Sequence, residues 1–214
     1  KKAMAALKSK SPEFNSLINK KGYVNLGFYG IGKVYVVSTK KISSLNDLQG
    51  VKMWAWEGDH IIRAMMESLK LVSVPLALPD VMSSLSTGII EAAYAPPLGV
   101  LALQWQNKIK YLIDFPTAYT IGALLITKKQ WKKISPEHQR LVVEISKKHI
   151  DEANELAKLD NIKALETLKN SGVEFVKFSE ADLKLAEGIR KDVMKKLEGD
   201  VLSKKVLRDI ETLR

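Results

Sequence analysis

The chain has 214 residues, of which 46% are hydrophobic and 27% charged, with 12 glycines and 7 prolines. This composition is typical of a globular protein with a sizeable core, and it excludes a disordered or fibrous chain. No apolar run approaches the roughly 18–20 residues that a membrane span requires. The absence of cysteine excludes disulfides, thiolate nucleophiles and thiolate metal sites.

The formal net charge is +10, from 34 Lys and Arg against 24 Asp and Glu. Basic residues are interleaved with acidic ones, as in the segment 147–152, which is typical of a solvated surface. No aromatic platform lies among clustered Lys and Arg, so nucleic acid is not an expected partner. The basic segment 1–7 is not followed by an apolar stretch, so it is not an intact signal peptide. We expect any signal segment to lie outside this chain.

Short runs rich in Val, Ile, Tyr and Phe alternate with helical patterns along the first two thirds of the chain. The runs predict strands at Tyr23–Tyr29, Val34–Ser38, Val51–Trp56, Leu71–Leu76, Ile89–Tyr94, Lys110–Asp114 and Gly122–Thr127, with a later one at Val173–Phe178. The patterns predict helices at His60–Leu69, Asp80–Thr87 and Leu98–Lys108. Strands that alternate with helices of about ten residues predict an α/β fold with a largely parallel sheet.

One predicted helix is much longer than the others. Ser135 is a good N-cap, Pro136 suits the first helical position, and no breaker appears before Gly172. At 1.5 Å per residue, the about 36 residues of 136–171 form a rod of roughly 54 Å, which is longer than a small domain is wide. We therefore predict a helix that spans two lobes. A coiled-coil arm is the competing interpretation, although the apolar spacing drifts from a strict heptad.

The rest of the chain is assigned around this helix. The first lobe is expected to comprise 1–30 and 121–150, and the second lobe 31–120 and 160–200. Helical patterns close the chain at Glu180–Leu197 and within 201–214. No linker or repeat interrupts the sequence, so the two lobes must share crossing segments.

The most suggestive motif for enzymatic chemistry is Gly27–Val34, which fits the phosphate-binding pattern G-x-x-x-x-G-K. Val34 occupies the position that needs a Mg²⁺-binding Ser or Thr, and strand-like residues follow where a helix is required. We interpret the segment as a strand–turn–strand crossover. The histidines show no metal-ligand spacing, and Asp59 before His60 is best explained as an N-cap. The sequence therefore predicts no catalytic residue, metal site or cofactor, and the chain is not expected to be an enzyme.

Aromatic and proline residues gather where predicted strands end, at Trp54, Trp56, Tyr94, Pro96 and Pro97. In open α/β sheets, ligands bind beyond the carboxyl ends of the strands, and apolar walls are typical of small-molecule sites. Two interpretations stay open at this point. Either one tryptophan belongs to the core and the other caps it, or both form the wall of an apolar cleft. The two remaining tryptophans are expected to pack on helix faces.

Four segments occur in an order that resembles a known family: Asp47–Met53, Leu85–Glu91, Ile126–Trp131 and Ser135–Gln139. They are similar to "DLKGLKIR", "LQTGVVDG" and "MNKKFWDSLSPEEQ" of the solute-binding proteins of tripartite ATP-independent periplasmic (TRAP) transporters. The resemblance covers nearly the whole chain from about residue 20. It implies two α/β lobes joined by several crossings, with a long helix across both. Family members are longer, so an N-terminal portion of the first lobe is expected to be missing here.

The resemblance also indicates where this chain departs from the family. The family arginine that pairs with a substrate carboxylate aligns with Trp54, and a ligand-holding asparagine aligns with Ala95. A less constant basic position aligns approximately with Lys33. We therefore expect a hydrophobic or amphipathic ligand in preference to a simple carboxylate, with Lys33 as a single polar anchor. The expected ligand-binding residues are Tyr29, Lys33, Trp54, Trp56, Glu57, Tyr94, Ala95, Pro96 and Pro97.

The function implied by the resemblance is capture of a small ligand between the two lobes and its delivery to an ion-driven TRAP membrane transporter. The expected partners are the ligand, the TRAP membrane subunits and an accessory periplasmic protein. The expected location is the periplasm, in soluble or lipid-anchored form. The alternative is a ligand-sensing or partner-binding protein that keeps the fold without transport, which the loss of the arginine also fits.

Overall fold

The computed structural model describes residues 2–199, 202–205 and 208. The helices are α1 (Lys2–Lys20), α2 (His60–Ser68), α3 (Val81–Thr87), α4 (Pro97–Ala102), α5 (Lys128–Trp131), α6 (Pro136–Asn170) and α7 (Glu180–Lys196). The strands are β1 (Tyr23–Ser38), β2 (Lys52–Ala55), β3 (Val72–Pro75), β4 (Ala92–Ala95), β5 (Tyr111–Ile113), β6 (Ala118–Thr127) and β7 (Glu174–Val176). The C-terminal helix expected within 201–214 lies largely outside the described residues. No helix in the described part of the chain has the length and apolarity needed to cross a bilayer.

The described chain divides into two compact units. The first unit contains residues 2–32 and 119–161, and the second contains residues 33–118 and 162–199. Strand β1 and helix α6 each contribute residues to both units. The lobe boundaries expected from the sequence stay a prediction.

The second unit is built on a mixed sheet with the strand order β3-β2-β4-β1-β5-β7. The pairs β2–β3, β2–β4 and β5–β7 are parallel, whereas β1 is antiparallel to both β4 and β5. The prediction of a largely parallel sheet is therefore wrong for the centre of the sheet. Strands that a helical crossover connects, such as β4 and β5, are expected to be parallel, and these two run in the same direction because both are antiparallel to β1. This expectation gives no direction for β1, which lies between them.

The largest differences from the predicted elements lie in β1, in α4 and at the start of the chain. The two strands expected at 23–29 and 34–38 form the single strand β1, because the intervening residues continue in extended conformation instead of turning. The helix expected over 98–108 stops at Ala102, where Gln104 adopts a left-handed φ of 57° before a short 3-10 turn at Trp105–Asn107. Helix α1 was not predicted.

Helix α6 is continuous over 35 residues, which confirms the predicted long helix. The hydroxyl of Ser135 accepts a hydrogen bond from the backbone N–H of His138 at 3.3 Å, as expected of an N-cap. Within the first unit, Asn154 Oδ1 accepts a hydrogen bond from Gly30 N at 2.7 Å, and Asn161 Nδ2 donates to the Ile31 carbonyl at 2.9 Å. These two amide side chains therefore fasten β1 to the helix through backbone groups.

The core of the second unit lies on both faces of its sheet. One buried cluster includes Val37, Trp54, Ile90 and Leu112, and the other includes Ile42, Met53 and Ile113. Strand β2 contributes to both clusters, with Trp54 in the first and Met53 and Ala55 in the second. Packing on both faces of the sheet explains why Met53, Trp54 and Ala55 are all buried although they alternate between the two faces.

Candidate ligand-binding surface

Trp54 is a buried residue of strand β2, with only 3% of its surface exposed. Its indole ring stacks on Tyr94, with ring centroids 5.0 Å apart and an interplanar angle of 24°. It meets Trp56 and Trp105 edge-on, at centroid distances of 5.5 and 5.7 Å. Its Nε1–H donates a hydrogen bond to the carbonyl of Leu76 at 2.9 Å. The ring is thus fixed by packing on three sides, and its only polar group is already paired.

Tyr94 lies on β4, the strand next to β2, and is partly exposed. Its hydroxyl oxygen accepts a hydrogen bond from the backbone N–H of Trp56 at 3.1 Å. Burial raises the pKa of the Tyr94 phenol, the hydrogen bond from Trp56 opposes this effect, and the Asp59 carboxylate adds to it. The phenol is therefore protonated at neutral pH.

Trp56 and Glu57 follow β2 and are exposed. The side chain of Trp56 is 51% exposed while its ring contacts Trp54. Asp59 begins helix α2 as its N-cap, and Asp59 Oδ1 accepts hydrogen bonds from the backbone N–H groups of Ile61 and Ile62. The loop therefore presents one large aromatic surface beside two carboxylates.

The remaining expected residues of β4 and its loop are placed as follows. Ala95 ends β4 and is buried, Pro96 is partly buried, and Pro97 is the first residue of α4 and fully buried. The pyrrolidine ring at Pro97 lacks an N–H, which costs nothing at the first position of a helix. Of these three residues, only Pro96 is partly exposed and could contact a ligand.

The two expected ligand-binding residues on β1, Lys33 and Tyr29, belong to different units. Lys33 is exposed in the second unit, and no described residue forms an ion pair with it. Tyr29 belongs to the first unit, where its ring lies over Gly122 of β6.

The structure thus brings together Trp54, Trp56 and Tyr94, and adds Trp105 to them. We call these residues the four-ring cluster. Trp105 is 1% exposed, so its expected packing role is confirmed, but its contact with Trp54 was not foreseen. The hydrogen bond from Trp54 to the Leu76 carbonyl was not predicted either. Its acceptor is a backbone group, so no residue type in the sequence could have indicated it.

Glu91 immediately precedes β4, at the opposite end of the strand from Ala95, and its carboxylate has two partners. Its carboxylate forms an ion pair with Lys40 and accepts a hydrogen bond from the backbone N–H of Lys52 at 3.2 Å. The hydrogen bond from Lys40 lowers the pKa of Glu91, desolvation opposes this effect, and the Lys52 N–H adds to it. These contacts tie the start of β4 to β2.

We expect Glu91 to contribute to the pH dependence of stability. Because the pKa of Glu91 is lower in the folded state, its stabilising effect is fully present above the unfolded value of about 4.3. The effect is lost as the pH falls through the lower folded value. Urea denaturation between neutral and acidic pH should show a shallower acid limb for Glu91→Gln than for wild type. Glu67→Gln, on an exposed part of α2, is the control, and an acid limb parallel to wild type in Glu91→Gln would contradict the assignment.

Two cavities lie in the first unit. One, of about 240 Å³, is lined by residues of α1, β1 and α6, including Leu7, Phe28 and Ile150. The other, of about 300 Å³, is apolar and is lined by α1, β1 and β6, including Phe14, Leu17 and Ile121. None of the nine expected ligand-binding residues lines either cavity. In the described residues no group of three or more His, Asp or Glu is arranged to hold a metal ion.

An α/β sheet with aromatic residues at its strand ends is a scaffold for binding small molecules. The family model for bacterial extracellular solute-binding proteins of family 7 (DctP) matches residues 2–200, and the chain belongs to this family. The resemblance to TRAP solute-binding proteins is thereby confirmed at the family level. The C4-dicarboxylate-binding periplasmic protein DctP of Rhodobacter capsulatus is 24% identical over 157 residues, covering 73% of this chain and 47% of that protein. The chain therefore spans about half the length of this curated relative.

Solved structures show the same fold. The sugar acid binding protein DctPAm from Advenella mimigardefordensis, in complex with galactonate, superposes with a TM-score of 0.92 at 17% identity. A TRAP periplasmic solute-binding protein from Haemophilus influenzae with bound L-gulonate gives a TM-score of 0.91 at 20% identity. Each comparison covers 100% of this chain and 70% of the other.

Proposed function

We propose that this chain is the ligand-binding portion of a periplasmic receptor that captures a small solute and delivers it to ion-driven TRAP membrane subunits. Family membership over residues 2–200 supports the proposal, as does the fold shared with solved TRAP solute-binding proteins. Capture and delivery require no bond to be made or broken. They require a surface that binds the solute and a conformation that the bound solute favours. Capture between two lobes stays a prediction.

The ligand that we propose is hydrophobic or amphipathic. The observation that carries this proposal is the state of Trp54, which stands where the family resemblance implies an arginine. Trp54 has no charge, its Nε1–H is committed to Leu76, and its ring is enclosed by the cluster. A carboxylate at this position would lack its bidentate partner, and a poorly paired buried charge costs several kcal/mol.

The exposed ring of Trp56 is the proposed contact surface, because it is the half-exposed member of the four-ring cluster. Its ring is held from beneath by Trp54, so little side-chain entropy is lost when a ligand covers it. Pro96 and Glu57 flank this surface in the proposed site, and Lys33 remains the proposed polar anchor. The solved relatives described above bind sugar acids. The proposed ligand of the present chain therefore differs in chemical class from theirs.

Native mass spectrometry with solvent extraction of protein purified without added ligand tests this proposal. We expect a co-purified apolar or amphipathic molecule, and we expect Trp56→Ala to reduce its retention about tenfold, since a lost aromatic contact costs roughly 1.5 kcal/mol. Ile89→Ala is the matched control, because Ile89 is an apolar residue of the same unit with 53% exposure. Titration with galactonate and L-gulonate completes the experiment. Tight sugar-acid binding that Trp56→Ala leaves unchanged would contradict the proposed ligand class.

The alternative function is partner binding without transport. One observation favours it: Leu156 and Leu159 of α6 are 59% and 55% exposed, and their i, i+3 spacing makes them neighbours on one apolar face of the helix. Protein that carries no co-purified molecule and binds neither apolar compounds nor sugar acids would support this alternative over transport.

A further inference from the structure

The hydroxyl group of Tyr94 has hydrogen-bonding capacity that the fold does not use. A phenol oxygen can accept hydrogen bonds and can donate one proton. Tyr94 Oη accepts from the backbone N–H of Trp56 at 3.1 Å. Among the described residues, no acceptor is hydrogen-bonded to the Tyr94 O–H. The proton is therefore available to a molecule that lies on the surface of the four-ring cluster.

Two polar side chains beside the hydroxyl already have partners within the fold. Trp54 Nε1–H donates to Leu76, and Asp59 Oδ1 accepts from two backbone N–H groups at the start of α2. Tyr94 can still offer a donor beside the exposed ring of Trp56, and the indole N–H of Trp56 itself is the competing donor at this surface. A purely apolar ligand would cover the Tyr94 hydroxyl and leave its O–H without an acceptor. The hydroxyl therefore favours ligands that carry an acceptor over those that carry none.

The charges near Tyr94 determine which acceptor fits. Burial keeps the phenol protonated by raising its pKa, and the Asp59 carboxylate acts in the same direction. Glu57 is exposed in the same loop. Both carboxylates repel a ligand anion, whereas a neutral oxygen acceptor experiences no such repulsion.

We propose that Tyr94 is a specificity-determining residue that donates a hydrogen bond to a neutral carbonyl oxygen of a ligand whose apolar body covers Trp56. This inference rests on the proposed function and narrows its ligand class from apolar or amphipathic molecules to those with a neutral oxygen acceptor. It assigns the polar contact to Tyr94 in addition to the Lys33 anchor expected from the sequence.

A matched pair of probes tests the proposal by equilibrium dialysis: 1-indanone, which has a carbonyl oxygen, and indane, which has the same fused rings without it. Wild-type protein should bind 1-indanone about tenfold more tightly than indane, as one added hydrogen bond implies. Tyr94→Phe should remove this preference, so that the ratio of the two affinities falls to about one. Loss of the Trp56 N–H contact affects both probes alike and leaves that ratio unaffected. Circular dichroism checks that the variant is folded, and Tyr111→Phe, in the same unit, is the control for loss of a phenol elsewhere.

Failure of this inference is distinguishable from failure of the proposed function. If both probes bind equally and Trp56→Ala weakens both, the apolar surface stands and the Tyr94 assignment is overturned. If a preference for 1-indanone persists in Tyr94→Phe, another donor holds the carbonyl and the assignment is also overturned. If neither probe binds up to its solubility, the apolar ligand class itself fails, and the Tyr94 assignment fails with it.

Discussion

Replacing Trp54 with alanine is expected to lower the free energy of unfolding by about 3–5 kcal/mol, the usual cost of removing a large aromatic side chain from a core. The substitution removes a ring that is 3% exposed, its stack on Tyr94 and its edge contacts with Trp56 and Trp105. It also leaves the Leu76 carbonyl without its donor. Urea denaturation followed by circular dichroism measures the change.

Trp56→Ala is the matched control for this prediction, because it removes the same side chain two residues away. Half of the Trp56 surface is exposed, so we expect a loss below about 1 kcal/mol, as for most surface substitutions. The two tryptophans should therefore separate into one that determines stability and one that determines ligand binding. Equal losses for the two variants would show that Trp54 is not the core residue that its contacts indicate.

This separation illustrates what sequence reasoning could resolve at the candidate site. The sequence placed Trp54 and Trp56 at a strand end and left open whether one of them is core. Period-2 alternation puts both on the same face of β2, so their different burial depends on where the strand ends. Strand β2 stops at Ala55, and Trp56 thus falls in the loop. A boundary shift of one residue decides the role, and such boundaries are the least reliable part of a sequence-based prediction.

The fold was predictable where local signals were strong. Ser135, Pro136 and Gly172 marked the ends of α6, and Asp59 and Gly88 marked helix ends as expected. Gly88 takes the left-handed conformation at the end of α3, with φ of 76°. Sequence reasoning failed where tertiary contacts overrode local preference. The glycines at 30 and 32 resemble a turn, yet β1 runs through them because its partners keep it extended.

Gly30 of β1 and Gly122 of β6 mark a close approach between these two strands in the first unit. A Cβ atom at Gly122 of β6 would lie 2.6 Å from Cε2 of Tyr29 on β1. Reciprocally, a Cβ atom at Gly30 of β1 would collide with the ring and hydroxyl of Tyr119 on β6. Each strand therefore places a tyrosine ring over a glycine of the other. Here glycine serves close packing, and no turn is needed to explain it.

The second prediction compares the same substitution at two glycines. Gly122→Ala should lower the free energy of unfolding by about 1–3 kcal/mol, since the added methyl group displaces the Tyr29 ring. Gly188→Ala should raise it by about 0.5–1 kcal/mol, because Gly188 lies within α7, no atom lies within 4 Å of an added Cβ, and alanine is the better helix former. Chemical denaturation of the two variants checks the opposite signs.

A double-mutant cycle connects the Gly122 effect to its cause. If the cost arises from contact with Tyr29, then Gly122→Ala should be nearly neutral when Tyr29 is already replaced by alanine, and the two substitutions should show a coupling of about 0.5–3 kcal/mol. A full cost that persists in the Tyr29→Ala background would instead assign the effect to the backbone of β6. Because Tyr29 was also an expected ligand-binding residue, the same cycle measures how far its ring is committed to packing on β6. A strong coupling would mean that Tyr29 is held over Gly122, and ligand contacts would then be sought on the four-ring cluster of the second unit.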